Sequence, residues 1–131
     1  MRLAIALAAF AFSACASAPN LAPDSAPEKA VEQFMWDYTR TWNRHDAASI
    51  ARDFYRMGPG VAEQAESLEK GFVNLRAQGY HHSDIFAVKA CMTGVDTAWA
   101  GMKFSRLKAD GEPLPPKDRA SSYTLTKFAD G

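Results

Sequence analysis

The sharpest constraint on the fold is a change of hydrophobic period at Gly79. Before it, Val61, Ala65, Leu68, Phe72 and Leu75 recur at steps of 4, 3, 4 and 3 residues, the stripe of a helix with one buried face. After it, apolar and polar residues alternate, as a half-buried strand requires. Gly79 stands where a helix C-terminus needs a residue that tolerates left-handed backbone. Helical periodicity first and alternation later predict the α+β class, with a curved antiparallel sheet packed on three N-terminal helices.

Two further helices are legible ahead of that point. Ser25 and Glu28 have capping-box spacing, and Pro27 lies in the first turn, where its missing N–H costs nothing. Val31, Phe34, Met35, Tyr38, Thr41 and Trp42 then share one face, with Gln33, Asp37 and Arg40 on the other. Asn43 reads as a left-handed stop, and Asp46 as the cap of a second helix, Ala47–Phe54, which carries Ile50 and Phe54 into the core. The polar run Asn43-Arg44-His45-Asp46 is therefore read as a helix–helix corner rather than a catalytic cluster. Met57-Gly58-Pro59-Gly60 is a turn into the third helix.

Beyond Gly79, His81-His82-Ser83-Asp84 reads as a strand-entry turn. Adjacent His side chains on a strand point to opposite faces, so this run lacks the convergence that a metal needs. Ile85–Met92 is a predicted strand with Phe86, Val88, Ala90 and Met92 on one face. Gly94-Val95-Asp96 turns into Thr97–Lys108, where Ala98, Ala100, Met102 and Phe104 alternate with Trp99, Lys103 and Ser105. Glu112–Asp118 is a proline-stiffened loop. A third strand, Ser121–Phe128, sets Tyr123, Leu125 and Lys127 against Ser122, Thr124, Thr126 and Phe128.

The N-terminus has a different character. Met1-Arg2 is followed by LAIALAAFAF, ten residues without a polar side chain, which fits an export signal and is too short to span a bilayer. Residues 1–15 are assigned to it. Two endings stay open: Phe12-Ser13-Ala14-Cys15 resembles the lipobox of bacterial lipoproteins, with Cys15 as the lipidated residue, and Ala14-Cys15-Ala16 offers ordinary A-x-A cleavage. Residues 16–25, with Pro19 and Pro23 among small residues, read as an extended tether, which leaves 26–131 as the folded domain. With Cys15 lipidated or removed, Cys91 reads as a lone, buried and inert thiol. The expected address is periplasmic, touching the membrane only through an N-terminal lipid anchor.

The length of 131 residues fits one domain, and 47% apolar content suffices for a core. Fifteen basic residues balance fifteen acidic ones, so no nucleic-acid partner is expected.

The spacing Tyr38-x-x-x-Trp42-Asn43-x-x-Asp46 before an Ala-rich helix resembles the nuclear transport factor 2-like superfamily, closest to its SnoaL-like and uncharacterised bacterial members. Phe104-Ser105-Arg106, Asp110-Gly111, Arg119 to Tyr123 and Phe128-Ala129-Asp130-Gly131 are similar to a run those proteins share. The resemblance covers 31–131 and implies a cone: a bent sheet wrapped on the long helix, with an apolar cavity at its wide end and dimerisation through the sheet. It also implies a further strand beyond Asp130-Gly131, and an early hairpin for which Tyr55–Gly60 leaves little room.

That family's cavities serve isomerisation, cyclisation, dehydration or plain binding, so the fold does not name a reaction. Isomerase chemistry needs a carboxylate base in an apolar cavity and a phenol to stabilise an enolate. By type, Tyr38 matches the donor and Asp53 or Asp84 the base, although no catalytic residue carries over by motif. Tyr38, Trp42, Phe54, Tyr55, Met102, Phe104, Arg119 and Tyr123 are the pocket positions expected. Arg106 and Arg119, on neighbouring strands, offer contacts to an anionic ligand or form an ordinary solvated face. The expected function is binding of a small apolar or amphipathic ligand in the cone. Alternatives are a lyase or isomerase using Tyr38 and a dimeric protein-interaction module. No cofactor or metal is expected.

Overall fold

A computed structural model describes residues 25–56 and 58–130. The export signal at 1–15, the lipobox Cys15, the tether short of its last residue and Met57 of the predicted turn lie outside the described residues. Three helices precede three strands: α1 (Ala26–Asn43), α2 (Ala47–Asp53), α3 (Val61–Ala77), β1 (His82–Met92), β2 (Thr97–Leu107) and β3 (Arg119–Thr126). The strands form one antiparallel sheet in the order β1-β2-β3, so the class is α+β.

By packing, the chain divides into two units, and the long elements contribute a stretch to each. One comprises the described residues of Met1–Met35, Phe86–Lys103 and Ala120–Gly131. Met35, Val88, Met92, Ala98, Ala100 and Met102 are buried in it. The other comprises Trp36–Ile85 and Phe104–Arg119, with Tyr38, Ile50, Ala51, Phe72 and Tyr80 buried.

In the first unit, α1 opens at Ser25, whose carbonyl accepts the Lys29 N–H at 3.0 Å as an N-cap should. The serine half of the capping box does not form: Ser25 Oγ is buried and finds no partner among the described residues. Phe34, predicted for the core, is 37% exposed because the buried stripe runs through Met35 instead. Phe86 on β1 is likewise half-exposed, while Val88 and Met92 are buried. Cys91 is not a free thiol; it is buried and disulfide-bonded, and Cys15, the chain's other cysteine, lies outside the described residues. On β2, Ala98, Ala100 and Met102 are buried as alternation requires. Trp99 lays its ring across Gly101, where a Cβ would come within 2.4 Å of it. Glycine is what lets the indole lie flat there.

In the second unit, α3 ends as its sequence dictates. Gly79 has φ +89° and its N–H bonds the Arg76 carbonyl at 2.9 Å, while the Tyr80 N–H reaches back to the Leu75 carbonyl at 3.0 Å. These two bonds make a Schellman motif, with buried Tyr80 as its apolar closing residue. Asp46 caps α2 by accepting the Ser49 N–H at 3.1 Å.

Three expectations are corrected in this unit. Asn43 belongs to α1, and the left-handed residue of the corner is His45, at φ 53°. His82, Ser83 and Asp84 are strand, not turn, because β1 begins at His82. On β2, Ser105 rather than Phe104 is buried, so the alternation slips after Lys103. A serine survives there because its hydroxyl donates to the Lys117 carbonyl.

Candidate functional site

Four of the eight predicted pocket residues, Tyr38, Trp42, Phe54 and Tyr55, meet at the end of α1. Tyr38 and Trp42 are four residues apart on that helix and so stack along one face, with ring centroids 5.9 Å apart. The residues leaving α2 complete the group: Phe54 lies 5.7 Å and Tyr55 6.1 Å from the Tyr38 ring, both edge-on. The Tyr38 and Tyr55 hydroxyls are 3.1 Å apart, a polar pair set among aromatic rings. Tyr38 is buried, and Trp42, Phe54 and Tyr55 are half-buried.

A second aromatic layer continues from Trp42. Its ring lies 4.7 Å from Phe72. His45 stacks on Phe72 at 4.8 Å and on Tyr80 at 5.4 Å, within 15° of parallel to each. The hydrogen bonds fix the His45 tautomer. Nε2 is 2.9 Å from the His81 carbonyl, which can only accept, so Nε2 carries the proton. Nδ1 is then the acceptor for Arg76 Nη1 at 3.3 Å, and Arg76 is itself held by Glu69 at 2.8 Å. His45 is thus a ring oriented by a bond at each nitrogen.

The indole Nε1–H of Trp42 can only donate, so the Tyr80 oxygen accepts it at 3.0 Å, and the Tyr80 hydroxyl shares a second hydrogen bond with Ser83 Oγ at 2.7 Å. Burial pushes the Tyr80 phenol above its ordinary range, against the opposing pull of Ser83, Trp42 and the nearby Arg106 charge. The phenol is held by hydrogen bonds to both Trp42 and Ser83.

Asn43 closes the corner onto β1. Its Nδ2 donates to the Ser83 carbonyl at 2.9 Å, and its Oδ1 accepts the Ser83 N–H at 2.8 Å. The corner's polar residues therefore hold the start of β1 in place, a role beyond capping.

The other predicted site residues fall elsewhere. Phe104 and Arg119 belong to the same unit but make no ring contact with the aromatic cluster among the described residues. Arg119 Nη2 donates to the Pro115 carbonyl at 2.8 Å, while its Nε is buried without a partner. Burial, and secondarily the Arg106 charge, lowers the proton affinity of Arg119. Met102, buried, and Tyr123, whose hydroxyl accepts from Ser121 Oγ at 3.1 Å, belong to the other unit.

Neither carboxylate proposed as a base has the environment for it. Asp53 is exposed and grips Arg52 through both oxygens, at 2.7 and 2.8 Å, and this pairing holds its carboxyl below the usual range. A base poised for neutral pH needs the opposite shift. Asp84 is exposed on β1.

His45, Phe72 and Tyr80 were not singled out from sequence as site residues. The signal for Tyr80 was present, since an apolar residue after a C′ glycine closes a Schellman motif. For His45 there was none, because left-handed backbone there is imposed by the three-residue corner. Among the described residues no three His, Cys, Asp or Glu side chains converge on a metal position, and no helix is long and apolar enough to cross a membrane. No family model, no curated protein and no solved structure matches this chain.

Proposed function

We propose that this chain is an exported domain of the nuclear transport factor 2-like type that binds a small apolar or amphipathic molecule against the aromatic wall of α1 and α2. The observation that carries the reading is the 3.1 Å hydroxyl pair of Tyr38 and Tyr55 among the rings of Trp42 and Phe54. Apolar walls with a few fixed polar groups are the usual composition of small-molecule sites. Helices followed by an antiparallel sheet are in keeping with the cone that the resemblance implies. The Arg52 ion pair of Asp53 weighs against an isomerase that uses this carboxylate, so binding rather than catalysis is put forward.

A neutral fluorescent probe, N-phenyl-1-naphthylamine, tests the reading on the purified protein. Saturable enhancement is expected, and Phe54→Ala should weaken it about tenfold by removing one ring of the wall. Tyr55→Phe should leave that probe unaffected but weaken 1-naphthol, which presents a hydroxyl, by roughly fivefold. Absence of saturable binding by the unsubstituted protein, with its circular dichroism intact, would end the proposal.

A further inference from the structure

We infer that the guanidinium groups of Arg106 and Arg119 together form an oxyanion-binding site. Arg106 lies near the end of β2, and Arg119 opens β3. Both are half-buried, and the two strands that carry them are hydrogen-bonded neighbours in the sheet. Like charges on neighbouring strands are normally separated by a carboxylate or turned outward to solvent. Among the described residues, carboxylates pair with Arg40, Arg52, Lys70 and Arg76, and none of these ion pairs involves Arg106 or Arg119.

A second defect sits at the same place. Arg119 spends one Nη2 hydrogen on the Pro115 carbonyl, yet its Nε–H is buried with no acceptor. A buried donor without a partner is costly, and a charged one more so. One ligand removes both defects: an oxyanion accepts the orphan hydrogen bond and neutralises the paired charges. The planar fork of arginine suits the spacing of carboxylate and phosphate oxygens.

Backbone hydrogen bonds tie together the two segments that carry the arginines. The Arg106 carbonyl accepts the Leu114 N–H at 2.8 Å, and Lys108 and Glu112 bond at 2.9 Å. The loop that supplies Pro115 to Arg119 is thereby tied to the strand that carries Arg106. The tie lowers the backbone part of the ordering entropy that binding costs. The site uses none of the contacts of the aromatic wall, and it predicts a ligand bearing a carboxylate or a phosphate.

The test titrates the purified protein with sodium phosphate and, separately, sodium acetate, holding ionic strength constant with sodium chloride. Arginine Nε–H resonances are followed by nitrogen-15 correlation spectroscopy. A saturable shift of the Arg119 Nε–H is expected with at least one anion, and Arg106→Gln should weaken it about tenfold or more. A response to phosphate alone assigns a phosphate ligand; a response to acetate assigns a carboxylate. Arg119→Gln should abolish binding, and if that variant loses its fold, Arg106→Gln decides the question. No saturable shift with either anion, or full affinity retained in Arg106→Gln, overturns the inference. Binding of the neutral naphthylamine probe is read separately and does not depend on this outcome.

Discussion

Asn43 shows how much a single side chain can fix when both halves of its amide are used. Its carbonyl and amino groups pair with the N–H and C=O of Ser83, much as a neighbouring strand would. Ser83 is only 7% exposed, so water cannot readily replace either bond. Asn43→Ala should therefore cost about 2–4 kcal/mol, since two buried backbone groups lose their partners at once. Asn43→Asp, which can accept but not donate, should fall between the two. Urea denaturation of the three proteins checks the order; a loss below about 0.5 kcal/mol for the alanine variant would mean that Ser83 finds other partners. His45 acts beside it, reaching the His81 carbonyl from left-handed backbone while its ring stacks on Phe72 and Tyr80. Their polarity, plain in the sequence, pointed to capping, but their real partners are some 40 positions further along the chain.

Among the elements, α3 was the most legible because its rules are local. Its stripe and its terminal glycine are written in consecutive residues, and Gly79 takes the φ of +89° that a Schellman end requires. Gly79→Ala should lower stability by about 1–2 kcal/mol, the cost of left-handed backbone for a residue with a Cβ. A fall in thermal midpoint with an unchanged circular dichroism spectrum would report this; an unchanged midpoint would mean that the turn re-forms another way. The strands were less legible at their boundaries. β1 starts earlier than its alternation suggests because Asn43 and His45 hold residues 81–83 extended, a tertiary effect that periodicity cannot carry. β2 keeps its predicted alternation from Ala98 to Met102 and then shifts, because Ser105 satisfies its hydroxyl on a loop carbonyl. The α1 side chains also cover the outer edge of β1. Asn43 occupies Ser83, and Glu32 accepts the Ala90 N–H at 3.3 Å, so backbone groups on an edge strand are taken up internally.

At the scale of the whole chain, the two cysteines tie together covalent state and cellular address. Cys91 is disulfide-bonded, and within one chain that bond and a lipid on Cys15 exclude each other, because a thioether leaves Cys15 no sulfur to share. Iodoacetamide under denaturing, non-reducing conditions should leave Cys91 unlabelled, and prior reduction should make it reactive. Labelling without reductant would mean a free thiol, the state that lipidation of Cys15 entails. The α+β class and the Tyr38, Trp42, Phe54 and Tyr55 grouping were readable because they follow from helix periodicity and one short corner. Met102, Phe104, Arg119 and Tyr123 were named with them by position, and packing assigns Met102 and Tyr123 to the other unit. Many of the bonds between distant segments run from a side chain to a backbone group: Asn43 to Ser83, His45 to His81, Glu32 to Ala90. A backbone group is supplied by nearly any residue, so the second position of each pair is free to drift. Contact inference from correlated substitutions would register these joints weakly, since the information that specifies them is carried at one position alone.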